Sequence, residues 1–219
     1  MVYIKIEPKS DGWSLFTIEI DGDKHAFYIS GALGDSLGEM LSGTYCLMNI
    51  EDTNCYYPDF MERQEFEMSG ADCEYLGKIE TALAERTTVD MLYKAIFEWC
   101  EEPRMIKWVL EKPLTIQDDF ILHIKIEVQD DKRKEYNYDI DFREFCYALA
   151  KAFTETFKAC GIRGYYEATW QHNLNIEKLV YLKAFALNKL EEFFPKYSEQ
   201  ENKCYSDFDK EITLLMLDM

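Results

Sequence analysis

The sequence lacks any apolar run that approaches the ~20 residues of a membrane-spanning helix. Its N-terminus, MVYIKIEPKSDGW, also lacks the basic start and the apolar centre of a secretory signal. Together these two absences predict a cytoplasmic protein. What the chain has instead is a hydrophobic fraction of 47% with 15% aromatic residues, which is typical of a folded protein and excludes a disordered chain.

Disulfide and metal-binding patterns are missing as well. The seven cysteines are widely spaced and include no C-x-x-C pair, which favours reduced thiols over a disulfide framework. The three histidines, His25, His123 and His172, lie in a predicted turn, on the polar face of a predicted strand and in a predicted loop. None has a second histidine or a cysteine at the short spacing of a zinc site, and the nearest pair, His172 with Glu177, is a poor one. The sequence therefore predicts no metal site.

Catalytic signatures are also absent, since the chain contains no G-x-S-x-G elbow, Walker loop, dinucleotide fingerprint or cysteine–histidine signature. The closest approach to an acid–base site is Glu98 with Glu101 and Glu102, because crowding of carboxylates raises one of their pKa values. Glu101 and Glu102 lie at a predicted hairpin tip, however, where solvent screens them. Trp99 and Trp108 are interpreted as core residues on neighbouring strands rather than as pocket walls. We therefore predict no catalytic or cofactor-binding residue, and no cofactor.

Positive charge is scarce, because 42 Asp and Glu outnumber 24 Lys and Arg and leave a net charge of -18. Such a surface repels nucleic acid and anionic membranes, and it attracts a basic protein or a cation. Residues 51–102 alone contain fourteen acidic and four basic side chains, a net charge of -10. This stretch is interpreted either as a solvated surface or as a docking face for a basic protein. The docking residues that we predict are Asp59, Glu62, Glu65, Glu67, Asp72 and Glu74.

The clearest structural pattern in the chain spans residues 120–161. Apolar residues alternate over Leu122 to Val128, and again after a charged turn, which predicts a hairpin with one buried face. A helix should follow, begun by a capping box of Asp141 and Glu144, with an apolar stripe along one side and Gly161 at its end. A weaker copy of this order precedes it: LFTIEI, a turn at DG, a second strand, and a helix that Ser30 is predicted to cap.

The remaining elements fit the same class of fold. AIFEWC and RMIKWVLEK predict a further hairpin, a third helix is predicted from Ile176 to Phe194, and EITLLMLDM favours a strand or a short helix. The predicted fold class is α+β, with antiparallel β-hairpins, packed helices and a duplicated hairpin-plus-helix unit. The predicted organisation is a single domain, 1–219, with pseudo-repeats at 12–49 and 118–161 separated by an acidic insertion at 50–90.

The order of these motifs resembles that of a family of uncharacterised bacterial proteins. The shared features are a leucine-glycine-aspartate helix start, a W-x-x-E-P hairpin and a helix introduced by an Arg-Glu-Phe sequence. The matching residues are Leu33, Gly34, Asp35, Trp99, Glu102, Pro103, Trp108, Arg143, Glu144 and Phe145. The resemblance covers Tyr28 to Trp170, apart from residues 50–90, and implies a bacterial source and a shared fold. It transfers no site and no activity, because none of its motifs is a catalytic signature.

The preferred functional hypothesis is a non-enzymatic protein-binding module, most concretely an immunity-type inhibitor that covers a basic toxin with the acidic insertion. It rests on analogy with small acidic bacterial proteins of that class. Two alternatives stay open. One is an enzyme or small-ligand binder with a pocket between the two repeats, and the other is a structural or regulatory subunit of an oligomer.

Overall fold

The computed structural model describes residues 1–9, 12–48, 92–101, 103–113, 121–130, 132–169, 171–193 and 208–219. Its elements in chain order are strands β1 (Val2–Pro8), β2 (Trp13–Ile20) and β3 (Asp23–Ser30), helix α1 (Ser36–Met48), strands β4 (Leu92–Glu101), β5 (Arg104–Pro113), β6 (Ile121–Gln129) and β7 (Lys134–Asp141), and helices α2 (Phe142–Ala168), α3 (Ile176–Ala186), α4 (Leu190–Phe193) and α5 (Phe208–Met216). None of the helices in these ranges is long and apolar enough to cross a membrane.

The predicted α+β class is confirmed by two antiparallel sheets and the helices between and after them. β1, β2 and β3 form one sheet, and β4 to β7 form the other, each with its strands in chain order. The chain divides into two compact units. Unit 1 comprises residues 1–45 and 142–219, and unit 2 comprises residues 46–141. Unit 2 is thus inserted within the sequence of unit 1.

The predicted duplication is not confirmed. The order of strand, turn, strand and helix does recur, as β2–β3–α1 and as β6–β7–α2. In the second copy, however, the hairpin belongs to unit 2 and the helix belongs to unit 1. The two copies therefore have different surroundings, and the single-domain organisation with two pseudo-repeats stays a prediction.

The core of unit 1 forms where α2 packs against β1. Strand pairing places Ile4 opposite Ile18 and Ile6 opposite Phe16, so that all four side chains share one face of the sheet, and all four are buried. Most of the apolar stripe predicted for α2 is buried as well, namely Phe142, Phe145, Cys146, Leu149 and Phe153, whereas Phe157 and Cys160 near its end are half-buried. Each buried Phe or Leu contributes roughly 1.5–3 kcal/mol to stability, so this contact is a main source of the stability of unit 1.

Hydrogen bonds also join α2 to β1. The Val2 amide donates to the carboxylate of Glu144 (2.9 Å). The Thr156 hydroxyl shares its donor between the carbonyl oxygens of Ile6 (3.0 Å) and Ala152 (2.8 Å). These bonds fix the position of the helix along the strand.

The predicted C-terminal ends of the second and third helices can be compared with the structure. The helical backbone of α2 breaks at Gly161, which has φ 69°, as predicted, and a further helical stretch continues to Ala168. α3 is shorter than the predicted helix from Ile176 to Phe194, which is wrong in its C-terminal half. Asn188 has φ 56°, outside the helical region, so the chain leaves the helix after Ala186 and α4 is a separate turn. The last segment forms helix α5 rather than a strand.

The helix cap predicted at Ser30 is wrong. The Ser30 hydroxyl caps only a 3₁₀ turn, Gly31–Leu33. Gly34 follows with φ 151°, a value that no helix contains, so α1 starts beyond it. Asp35 is the cap of α1, because its carboxylate accepts a hydrogen bond from the Gly38 amide (3.0 Å).

Unit 2 contains both of its predicted hairpins. β4 ends at Glu101 and β5 begins at Arg104, which places the turn where the Glu-Glu-Pro sequence predicted it, and β6 pairs with β7. On one face of the sheet Trp99 and Trp108 are fully buried, with ring centroids 4.9 Å apart. The interpretation of these two tryptophans as core residues is confirmed.

A buried lysine holds the C-terminal helix of unit 1. Lys183 of α3 is 0% exposed, and its ammonium donates to the carbonyl oxygens of Leu215 (3.0 Å) and Leu217 (2.6 Å). Carbonyls at the C-terminal end of a helix lack helical partners, so a cation is favoured there. The pKa of Lys183 is lowered to about 8, mainly by burial and in part by the nearby charge of Lys158, while Asp218 opposes the shift.

We expect the stability of the protein to depend on Lys183 in alkaline solution. The folded-state pKa of about 8 lies below the ordinary 10.5, so the unfolded chain holds this proton more tightly and stability rises as the pH increases from 8 to 10.5. Lys183→Met has no such proton and should lack this gain, which is on the order of 1–3 kcal/mol. Urea unfolding of both proteins between pH 7 and pH 10 measures the difference, and parallel pH dependences would contradict the assignment.

Candidate functional site

The candidate site lies on the face of the four-stranded sheet opposite the tryptophans, which we call the polar face. Strand register places three rows of side chains across β4 to β7 on this face. The first row is Glu98, Lys107, Glu127 and Glu135, the second is Ile96, Val109, Lys125 and Asn137, and the third is Glu111, His123 and Asp139. In the first row Lys107 therefore lies between two carboxylates, those of Glu98 and Glu127.

A network of ion pairs is centred on Glu127, which is only 6% exposed although it lies on the polar face. One carboxylate oxygen of Glu127 meets the ammonium of Lys125 (2.9 Å), and the other meets the guanidinium of Arg133 (2.6 Å). The same Lys125 ammonium also contacts Glu135 (3.1 Å). Lys125 is thus held by two ion pairs, and Arg133 is held by one charged hydrogen bond.

This network shifts the pKa values of its members in the directions expected for stable ion pairs. The hydrogen bond from Lys125 holds the pKa of Glu127 below its ordinary value, and the charge of Arg133 adds to the effect. The bonds to Glu127 and Glu135 raise the pKa of Lys125. The pKa of Glu135 is lowered first by a hydrogen bond from the Asn137 amide (3.2 Å) and then by Lys125. All these carboxylates are therefore charged at neutral pH.

Between the charged rows the polar face contains a cleft with a volume of about 490 Å³. Ile96 and Val109 of the middle row line it and give its floor an apolar patch. The charged lining comes from both outer rows and from Lys125, and includes Lys107, Glu111, His123, Glu127 and Asp139. The cleft can therefore present charged groups of both signs around a small apolar patch.

His123 is the one predicted histidine that lies in this cleft, and its place on the polar face of its strand is confirmed. Its Nδ1 bonds a carboxylate oxygen of Asp139 on the neighbouring strand. Both side chains are solvent-exposed, at 43% and 72%. The bond orients the ring, so that Nε2 of His123 remains available to a ligand.

The other two histidines belong to unit 1. His25 lies within β3 and not in the predicted turn, because the left-handed backbone of Asp21 and Gly22 completes the turn before it. It stacks on Phe27 with ring centroids 6.2 Å apart, and burial lowers the pKa of His25. Its place on the inner side of the hairpin explains that burial.

His172 lies in a loop, as predicted. Its Nε2 bonds the carbonyl oxygen of Gly31 (2.8 Å), and this contact ties the loop to the 3₁₀ turn of unit 1. No hydrogen bond or ion pair links it to Glu177 in the part of the chain that the structure describes. Among those same residues, no group of three or more His, Cys, Asp or Glu side chains is placed to hold a metal ion.

The carboxylates considered as an acid–base group are separated by the structure. Glu98 lies on the polar face and is exposed, whereas Glu101 is 5% exposed and pairs with the guanidinium of Arg104 (2.8 Å). The expectation that solvent screens Glu101 is wrong, because the side chain points from the end of β4 to the same side as Trp99. Glu102 lies outside the described residues.

The residues predicted to dock a partner also lie outside the described residues. They are Asp59, Glu62, Glu65, Glu67, Asp72 and Glu74, and they belong to the segment between α1 and β4. The prediction for each of them stays a prediction.

Comparisons with known proteins add no family to these observations. A scan against protein-family models, a search of the curated proteins and a search of the solved structures each found no match. The resemblance to a bacterial family therefore stays a prediction, and the arguments below rest on this chain alone.

The cleft is a feature that the sequence interpretation missed. Its signal is present in LHIKIEV, where His123, Lys125 and Glu127 occupy every second position, and more weakly in RMIKWVLEK, where Lys107 and Glu111 are an even number of residues apart. That period places the charges on one face of each strand. Their grouping into rows depends on the register between strands, which the sequence pattern alone does not define.

We expect Glu127→Gln to destabilise the protein more than Glu98→Gln, an exposed control on the same face. The loss of two charged hydrogen bonds should lower the unfolding free energy by about 1 kcal/mol at pH 7, against about 0.5 kcal/mol or less for the control. Because the pKa of Glu127 is depressed in the folded state, the wild-type advantage is present above the ordinary carboxyl pKa and should disappear as the pH falls below it. Urea unfolding from pH 7 to pH 3 measures this, and equal losses for the two variants would refute the network.

Proposed function

We propose that this chain is a protein-binding module for a basic partner protein, of the kind represented by immunity-type inhibitors of basic toxins. The observation that carries the proposal is the uneven distribution of charge between the two units and within unit 2. The proposal does not depend on any match to a known family.

Most of the negative charge belongs to unit 2. Residues 46–141 contain 23 Asp and Glu against 11 Lys and Arg, a net charge of -12, and unit 1 has 19 against 13, a net charge of -6. Within unit 2, residues 92–141 have twelve acidic and eight basic side chains, whereas residues 51–90 have eleven and three. Residues 51–90 thus have a net charge of -8, which is twice the net charge of residues 92–141.

The polar face supports this division. Two of its carboxylates have basic neighbours within the sheet: Lys125 contacts both Glu127 and Glu135, and Arg133 contacts Glu127. Charges that are paired inside the sheet contribute little to the field that an approaching protein meets. The excess in residues 51–90 has too few basic side chains to be paired within its own segment, and so it is the main source of that field.

A field of this sign selects the partner. It accelerates the approach of a basic protein and fixes the orientation in which the two surfaces meet, while it repels nucleic acid and other acidic proteins. The best-fitting role is therefore the masking of a basic surface on another protein. The two alternative roles, a small-ligand binder or enzyme with a pocket between two repeats and a subunit of an oligomer, have no observation of this kind in their favour.

The first experiment identifies the partner by a pull-down from the native host, followed by mass spectrometry. The affinity of the captured basic protein is then measured at low and high salt. Screening should weaken the complex, because the interaction is driven by exposed charges. A captured partner whose binding is indifferent to salt would contradict the proposal.

We expect charge reversal at Glu62, Glu65 and Glu67 to Lys to weaken that complex by a factor of about ten or more, mainly through slower association. A matched control reverses three exposed acidic residues of unit 1, Asp23, Glu155 and Glu192, and changes the net charge by the same amount. If only net charge mattered, the two triple variants would lose affinity equally. Surface plasmon resonance separates the outcomes, and equal or absent losses would exclude residues 62–67 as the docking face.

A further inference from the structure

We propose that unit 1 contains a binding site for one internal water molecule, in a small cleft at the N-terminal end of helix α1. We call this space the α1 cleft, and its walls include Ser14, Asp35, Ser36, Leu37 and Thr169. The inference goes beyond the proposed function and does not depend on it, because every residue that lines the α1 cleft belongs to unit 1. It rests on the unbonded polar groups of these walls and on the size of the space between them.

Two serine hydroxyls in the α1 cleft are buried without a hydrogen-bond partner. Ser14 of β2 is 3% exposed, and Ser36, the first residue of α1, is 6% exposed. Neither hydroxyl bonds any group among the residues that the structure describes. The Thr169 hydroxyl, in contrast, donates to the carbonyl oxygen of Tyr165 (2.8 Å). Buried hydroxyls without a protein partner are unfavourable, and in proteins such groups normally bind ordered water.

The first turn of α1 adds two amide donors. The first amides of a helix have no acceptor within the helix. Asp35 satisfies two of them: its carboxylate accepts from the Gly38 amide (3.0 Å), and its carbonyl oxygen accepts from the Glu39 amide (2.8 Å). The amides of Ser36 and Leu37 have no such acceptor in the described part of the chain, and both residues line the α1 cleft. Two amides and two hydroxyls therefore border one small space.

The size of the α1 cleft suits a single water molecule. Its volume is about 10 Å³, which is close to the volume that one water requires. A buried water typically makes two to four hydrogen bonds, and the groups around the α1 cleft are sufficient for that number.

Contacts within unit 1 hold the walls of the α1 cleft in place. The Gly31 amide donates to the carbonyl oxygen of Gly12 (2.9 Å), and the Gly31 carbonyl oxygen bonds Nε2 of His172 (2.8 Å). A Cβ atom at Gly31 would overlap the carbonyl oxygen of Thr169, so this close approach requires glycine. Gly34 has φ 151°, a backbone conformation that also favours glycine. The donors are therefore positioned before a ligand binds.

The charge of the walls favours water over an anion. A helix N-terminus attracts anions, but the Asp35 carboxylate lines the same cleft and repels them. A water molecule accepts hydrogen bonds from the amides and hydroxyls, and it can also donate to the carboxylate. Water is therefore the occupant that matches donors and acceptor together. Bound there, it would bridge Ser14 of β2 to the Leu37 amide of α1.

A high-resolution crystal structure and NMR of the wild-type full chain test the site without any variant. We expect an ordered water about 2.7–3.2 Å from both the Leu37 amide nitrogen and the Ser14 hydroxyl oxygen. In water-selective NOE and ROE spectra, the Leu37 amide should show cross-relaxation with a long-lived water. The Glu177 amide is the matched control. It is likewise the second amide of a capped helix, after Asn175, but Glu177 is exposed and should show bulk water alone.

A variant then locates the water. Ser14→Ala removes one partner and should abolish the long-lived water signal at Leu37, with a fall in melting temperature of about 2–4 °C. Thr213→Ala, which removes an exposed hydroxyl of α5, should leave the signal at Leu37 unchanged.

Inorganic phosphate is the probe for an anion as the alternative occupant. Addition of phosphate to about 10 mM should cause no saturable shift of the Ser36 and Leu37 amide resonances. A saturable shift would identify an anion site and overturn the proposal. Electron density without a water at this place, a Leu37 signal equal to that of Glu177, or full retention of the Leu37 signal in Ser14→Ala would overturn it as well.

Discussion

The contact between helix α2 and strand β1 is the interaction on which the rest of unit 1 depends. Ile4 and Ile6, near the start of the chain, belong to the strand that packs against the helix whose buried stripe begins at Phe142. The hydroxyl of Thr156 also donates a hydrogen bond to the carbonyl oxygen of Ile6. The chain between them includes all of unit 2. Closing so long a loop costs conformational entropy, which the apolar burial along the stripe must offset.

This arrangement separates the scaffold from the candidate site. In unit 1 the polar residues described above mainly hold structure together: Asp35 caps a helix, His172 ties a loop, and Lys183 binds the end of the C-terminal helix. In unit 2 the polar face gathers charges of both signs around a cleft, and Lys107 is left without a partner among the described residues. The proposed docking of a basic partner therefore concerns unit 2, which contains the acidic segment.

How much the sequence could predict follows from the range of each interaction. Apolar residues that recur every two residues in strands and every 3.6 residues in helices form local patterns. These patterns correctly indicated the hairpins, α2 and its break at Gly161. The wrong helix bounds arise where one residue leaves the helical region, as Gly34 and Asn188 do, and neither pattern contains that information. Lys183 was not singled out because its partners lie about thirty residues later, and the cleft depends on register between strands.

Native-state hydrogen exchange of the full chain tests the central contact most directly. If β1 and α2 form one cooperative core, the amides of Ile4, Ile6 and the buried part of α2 should open with the same free energy. Phe145→Ala leaves a cavity in that core and should lower the protection of β1 and α2 together, by about 3 kcal/mol. A loss confined to α2, or β1 amides that exchange far faster than those of α2 in the wild-type chain, would contradict the account.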